Sequence, residues 1–266
     1  MTPGRARELA RGARLLPLLI LAWAPLFWMI SLAVRVPRGE HLAIGLGNFR
    51  DLLAAGPFWR YTINSAFVAV WVVGLNLLLA SLVGYALARG RFRGKRVLLL
   101  SILLTLMVPK QVTLIPVYLL AARMHLLDTY AALIAPFVVD AFNVFLMRQY
   151  LQQIPTEMED AARVDGASEL TIFFRVVLPV ARPALAVMGV NTFLVNWNSF
   201  LYPLVLTNSD SMRTLPVGLA LYAQGEHSVD WGHLMAGALI GTLPVLIAFL
   251  LFQKQIVEGI LTGAGK

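Results

Sequence analysis

The sequence predicts an all-α, polytopic membrane protein with six transmembrane helices. Of its 266 residues, 59% are hydrophobic and only 14% are charged, whereas soluble domains carry about 25% charge. The apolar residues gather into long uncharged runs, and the basic residues fall between those runs as topology signals do. The net charge of +8 is therefore not one nucleic-acid stripe. With no cysteine, disulfides and thiolate metal sites are excluded.

A spanning helix needs roughly 20 mostly apolar residues. Segments 15–34, 63–88, 97–121, 131–147, 184–206 and 234–252 meet or approach that requirement, as parts of one transmembrane domain, 1–266. The first follows a basic stretch from Arg5 to Arg14, the arrangement of a signal peptide. Its 20 uncharged residues exceed an h-region of about 7–15, so it reads as a retained helix. The third run contains Lys110, and the fourth, of 17 residues, contains Asp140.

Six spans put both termini on one side. That side holds four Lys and Arg in the N-terminal stretch, five in 89–96, four in 148–183 and two in the tail. The opposite side holds six: Arg35, Arg38, Arg50, Arg60, Arg123 and Arg213. The positive-inside rule then places both termini, and the polar segment 154–179, in the cytoplasm.

Segment 154–179 is a charged island in an apolar chain. Thr156 has the character of an N-cap, with Glu157, Glu159 and Asp160 at the positive end of the helix that follows and Glu159 at capping-box spacing. Gly166 permits a bend. Val164, Ala167 and Leu170 recur on one face, and Pro179 and Pro183 end the apolar run behind them. The residues alone predict two short cytosolic helices with a small-residue bend, compatible with a partner contact or with a plain interfacial connector.

The spacing of Asp160-Ala161-Ala162, Gly166, Val176 and Leu178-Pro179 resembles the EAA loop of ABC-importer permeases, with Asp160 in place of Glu and Val176 in place of Ile. Asn64-Ser65, Tyr85-Ala86-Leu87-Ala88-Arg89, Arg91-Phe92-Arg93-Gly94, Leu127-Asp128-Thr129-Tyr130, Asn196-Trp197-Asn198-Ser199-Phe200 and Thr214-Leu215-Pro216 are similar to the carbohydrate-uptake branch, in its smaller six-span subunit of the second maltose permease type.

The resemblance implies the type I importer fold and a bacterial inner-membrane location. It also implies a heterodimer with a second permease subunit, two cytosolic ATP-binding subunits and an extracytoplasmic solute-binding protein. Glu159, Asp160, Ala161, Ala162, Asp165, Gly166, Ala167 and Leu170 would meet the ATPase. The chain has no Gly-x-x-x-x-Gly-Lys-[Ser/Thr] loop, so ATP and Mg belong on the partner and this subunit carries no cofactor and no catalytic residue. The glycine-rich tail Gly263-Ala264-Gly265-Lys266 resembles a terminus that reaches the ATPase dimer interface, and 209–231 a loop that faces the binding protein.

Intramembrane charge is costly and is usually functional or paired. Lys110 and Asp140 are therefore expected to pair or to face the translocation path, together with Asn191, Asn196 and Asn198. Trp197 offers a stacking face for a sugar. Glu226, His227, Asp230 and His233 lack ligand spacing and predict no metal site. Two other readings remain open at this point. One is a glycerol-phosphate-type permease, for which Lys110 would hold the anion. The other is a secondary transporter using Lys110 and Asp140 as a relay.

Overall fold

The computed structural model of the chain describes residues 3–38, 41–54, 56–223 and 230–264. The chain divides into two compact units, Met1–Trp59 with Gly218–Pro244, and Arg60–Val217 with Val245–Lys266. In chain order, the first begins with α1 (Pro3–Ala33), a hairpin of β1 (Arg35–Arg38) and β2 (His41–Ile44), and α2 (Gly47–Ala54). The strands are antiparallel, with Arg35 opposite Ile44. Nothing in the sequence reading anticipated this hairpin. Buried Asn48 secures it by donating its side-chain amide to the carbonyls of Ala33 and Arg35, both at 2.8 Å.

Helix α3 (Phe58–Arg89) leads into the second unit, followed by α4 (Lys95–Leu106), a 3₁₀ turn (Lys110–Thr113) and α5 (Leu114–Arg123). Next come α6 (Tyr130–Ile134), a 3₁₀ turn (Ala135–Phe137) and α7 (Ala141–Gln152). The polar segment forms α8 (Glu157–Val164), α9 (Glu169–Ile172), a π turn (Phe173–Val177) and α10 (Leu178–Val180). Helices α11 (Arg182–Trp197), α12 (Leu201–Leu206), α13 (Leu215–Tyr222) and α14 (Trp231–Ala264) complete the chain.

Helix α3 and the Trp231–Gln253 part of α14 are each long and apolar enough to cross a membrane unbroken. Among the described residues, three bent helix pairs bring the count to as many as five, against the six expected. The first expected segment lies in α1, whose described apolar stretch is Leu19–Ala33. The third, fourth and fifth are discontinuous, for local reasons. Pro109, extended at ψ 131°, has no amide hydrogen and precedes the 3₁₀ turn at a 97° bend. Asp140, extended at φ −111° and ψ 128°, starts α7 afresh at a 40° bend. At Ala181 the chain turns by 81°, and Pro183 then sits in the first turn of α11, where its missing donor is harmless. Lys110 and Asp140 thus sit at breaks rather than inside continuous helices, and irregular backbone within a membrane is tolerated only where protein or a cavity surrounds it.

One core cluster of the second unit joins α3 (Ala80, Tyr85, Leu87), α7 (Val144, Met147, Leu151) and the polar segment (Ile172, Phe173, Val177). Gly84 makes this approach possible. A Cβ there would lie 2.8 Å from the Met147 Cβ and 3.1 Å from the Val144 carbonyl oxygen. Several motif residues turn out to staple loops. Asn64 donates to the carbonyls of Ser211 and Arg213, both at 2.9 Å, and accepts from the Tyr130 hydroxyl at 2.7 Å. The Ser65 hydroxyl accepts from the Leu215 amide at 2.8 Å. Asp128, at φ 62°, accepts from the amides of Asn208 and Ser209 at 2.9 and 3.0 Å.

Gly84→Val is expected to destabilise the protein by about 1–3 kcal/mol through overpacking against α7, read as a lowered thermal midpoint of the purified protein in detergent. Gly74→Val, on the same helix with nothing within 4 Å of its added Cβ, should leave that midpoint unchanged; equal losses would refute the close-packing account.

Candidate functional site

The polar segment has two unlike faces. Inward, Glu159 is 3% exposed. Its carboxylate accepts from the Arg89 Nε at 2.8 Å and from the Tyr85 hydroxyl at 3.3 Å, while Arg89 Nη2 also donates to the Ile154 carbonyl at 2.8 Å. Tyr85 and Arg89 are four residues apart on α3, so they share a helix face. Arg163 binds Glu169 and Asp160, each at 2.7 Å, which ties α8 to α9 across the bend. Its guanidinium is held above the ordinary arginine range, chiefly by the hydrogen bond to Glu169, with burial acting in the opposite direction.

Outward, Val164 is 89% exposed, Leu170 64% and Met158 58%. Asp160, Ala161, Asp165 and Gly166 are also exposed, whereas Ala162 and Ala167 are half-buried against the α3–α7 core. Gly166 has φ +80°, with open space where a Cβ would stand, so the bend needs a left-handed residue and presents no side chain.

Three expectations change here. Thr156 lies at the start of α8 in a helical conformation and its side chain caps nothing; Ser168 is the capping residue, accepting from the Thr171 amide at 3.3 Å. Glu159 is not a surface contact but the inward anchor, because a carboxylate beside a half-buried guanidinium is better paired than solvated. Val164, Ala167 and Leu170 do not share an environment, since the break at Gly166 rotates α9 relative to α8 and only Val164 and Leu170 remain outside. The partners Tyr85 and Arg89 went unpredicted as such. Their signal was present, in a Tyr and an Arg at i, i+4 at the end of an apolar helix.

A second site is a cavity of about 680 Å³ within the second unit. Every residue expected to face a path lines it: Lys110, Asp140, Asn191, Asn196 and Asn198. The helix breaks build it. Asp140 starts α7 with one carboxylate oxygen, which accepts from the Phe142 and Asn143 amides at 3.0 and 3.4 Å. Its other oxygen receives Lys110 Nζ at 3.2 Å. The Lys110 carbonyl accepts from the Tyr202 hydroxyl at 2.8 Å, and Tyr202 and Thr113 share a hydrogen bond of 2.7 Å. The pair joins the breaks of two consecutive bent helices, and Lys110 and Asp140 are the charged residues among the described lining.

At the wall of the cavity, with Asn76 and Thr192 on its lining, lies a polar triad that sequence reasoning missed. Asn143 Nδ2 donates to the Asn76 side-chain oxygen at 2.6 Å and to the Thr192 hydroxyl at 2.8 Å, joining α3, α7 and α11. Asn76 and Asn143 are fully buried. An Asn inside an apolar run needs an interhelical partner, so each was a readable flag; that they meet was not. Trp197 does not serve the expected stacking role, because it is 5% exposed and its ring is stacked on Phe193 at 5.5 Å.

Of the loop 207–233, Glu226 and His227 lie outside the described residues. Asp230 accepts from the His233 amide at 3.1 Å at the start of α14, and its other carboxylate oxygen contacts the His233 ring nitrogen. In the glycine-rich tail, Gly265 and Lys266 lie outside the described residues, as do the side chains from residue 254 onward.

Residues 76–260 match the family described as the binding-protein-dependent transport system inner membrane component. The chain is 39% identical over 222 residues to the arabinooligosaccharides transport system permease protein AraQ of Halalkalibacterium halodurans, covering 83% of this chain and 79% of the relative. It is 34% identical over 229 residues to the sn-glycerol-3-phosphate transport system permease protein UgpE of Pectobacterium atrosepticum, covering 84% and 80%. Among solved structures it resembles a chain of a bacterial ABC transporter involved in the import of the acidic polysaccharide alginate. The TM-score is 0.80 and the identity 26%, over 96% of this chain and 98% of that one.

Removing one member of a buried ion pair strands the other, at a cost of about 3–5 kcal/mol. Glu159→Ala is therefore expected to lower the thermal midpoint of the detergent-solubilised protein sharply. Combining Arg89→Met with Glu159→Leu, which removes both charges, should recover most of the loss, and no recovery would point to lost packing instead.

Proposed function

The chain belongs to the family of binding-protein-dependent transport system inner membrane components, and on that premise we propose that it is the permease subunit of an ATP-driven importer of oligosaccharides or related sugars. It pairs with a second permease subunit, receives solute from an extracytoplasmic binding protein and is driven by two cytosolic ATP-binding subunits that hold ATP and Mg. Both termini and segment 154–179 lie in the cytoplasm, in keeping with fifteen Lys and Arg on that side against six on the other. Family membership displaces the secondary-transporter alternative.

The two-faced polar segment is the observation that carries this reading. Its outward face exposes Met158, Val164 and Leu170 beside a glycine bend, the apolar, low-relief surface that a cleft in a soluble partner fits. Its inward face is joined to α3 through buried charge. Displacement of the segment by a closing ATPase dimer is therefore passed to a helix that also contributes Val72 and Asn76 to the cavity wall. The bent pairs supply the discontinuous helices on which transporters build midplane sites.

For the cargo, the cavity supports a saccharide. It offers Asn191, Asn196, Asn198 and Ser199 as amide and hydroxyl partners, with Phe137 and Phe200 as apolar faces. A glycerol-phosphate cargo is the second reading, favoured by the likeness to UgpE and by Lys110 on the lining. Against it, Lys110 is already neutralised by Asp140.

Gly166→Arg should abolish ATPase-coupled uptake in membrane vesicles while membrane insertion stays normal. Gly166→Ala, which strains the left-handed bend by about 1 kcal/mol but adds little bulk, should retain most uptake. Normal uptake by the Arg variant would refute docking at this bend.

A further inference from the structure

We propose that Asp140 determines substrate charge selectivity, by neutralising Lys110 so that the path favours uncharged saccharides over anionic ones. The proposal rests on the reading of the cavity as a sugar path.

The argument starts from the geometry of one carboxylate. Asp140 Oδ1 is occupied by the amide hydrogens of Phe142 and Asn143, which hold the side chain at the start of α7, and Oδ2 is turned to Lys110 Nζ at 3.2 Å. The backbone of the lysine is held as well, because its carbonyl and the Thr113 hydroxyl three residues on both engage Tyr202. The Lys110 side chain is nevertheless 60% exposed, whereas that of Asp140 is 26% exposed. Both side chains line the cavity, and the cation is the more exposed of the two. Such an exposed pair adds little stability, which leaves its effect on the field inside the cavity as its consequence. Among the described lining residues these are the two charges, so the wall is neutral overall. Without Asp140 the same wall would carry one cation directed at the cargo, and a fixed cation facing a concave, low-dielectric surface attracts anions.

The relatives frame why one residue can decide this. On the same fold, one transports arabinooligosaccharides, another sn-glycerol-3-phosphate, and a third takes part in importing an acidic polysaccharide. Cargo charge therefore varies while the helices do not, and the charges on the cavity wall are the economical place for that choice to be made.

Asp140→Asn isolates the charge, because its amide oxygen can still accept the Phe142 and Asn143 amides and Asn is a good helix cap. The measurement is direct binding of two probes, neutral arabinotriose and anionic trigalacturonate, by calorimetry on the complete permease–ATPase complex in nanodiscs. In Asp140→Asn the affinity ratio of trigalacturonate to arabinotriose should rise at least tenfold over wild type. Lys110→Gln, which leaves the carboxylate alone, should move the ratio the opposite way. The double substitution, with both charges gone, should return it to the wild-type value. If arabinotriose still binds but the ratio stays within twofold of wild type in both single variants, the selectivity role is overturned and the sugar path stands. If the wild-type complex binds neither probe, the sugar-path reading fails and takes this inference with it.

Discussion

The pairing of Glu159 with Arg89 is the interaction on which the rest of the molecule depends. A carboxylate that is 3% exposed survives only if something neutralises it, and the guanidinium that does so projects from the last residue of a 32-residue apolar helix. The charge pair therefore joins the most polar segment of the chain to one of its most apolar elements. Tyr85, one turn earlier, has a single hydroxyl hydrogen shared between two carboxylates, 3.0 Å from Glu169 and 3.3 Å from Glu159. Around this polar knot the α3–α7 core closes with Met147, Leu151 and Phe173. The segment is consequently built as a bracket bolted to α3 rather than as a flexible connector, which is what conveying a displacement requires.

The second constraint is that a backbone out of water must satisfy its own polar groups. The chain breaks its helices at Pro109, Asp140 and Ala181 and meets the requirement with side chains both near and distant in sequence. Asp140 supplies acceptors to the orphan amides of α7, and the Tyr202 hydroxyl supplies a donor to the Lys110 carbonyl. The same breaks create the concavity in which Asn191, Asn196 and Asn198 collect. Two of the groups that repair the broken helices, Asp140 and Tyr202, also line this cavity, and the Asn76–Asn143–Thr192 triad locks three helices at its wall.

Much of this was legible in the residues. Composition and run length announced a helical membrane protein, and the five residues chosen as path candidates do surround one cavity. Lys110 and Asp140 were flagged because charge in an apolar run demands a partner, and they are partners. The spacing around Gly166 announced two short helices and a bend, and both are present. What misled was assigning each residue by its local context alone. Thr156 has the composition of a cap but lies in helical conformation, and Trp197 looked available yet stacks on Phe193. The hairpin at Arg35–Ile44 has strands of four residues each, too short for alternation to stand out.

By itself the sequence determined the class of molecule, the approximate positions of its apolar segments and the residues with chemistry to offer, because hydropathy and charge are local properties that the lipid phase reads directly. Only the tertiary structure decided which way those residues face. Glu159 and Asp160 are adjacent, both acidic and in the same turn, yet one is buried against α3 and the other is exposed. One helical step rotates a side chain by about 100°, so the direction of the neighbouring helix, a non-local fact, sorts an anchor from a contact. The third, fourth and fifth apolar runs likewise became bent pairs because the bends are sustained by hydrogen bonds from residues far away in the chain, Tyr202 to Lys110 among them, and no local reading of a run contains its distant partners.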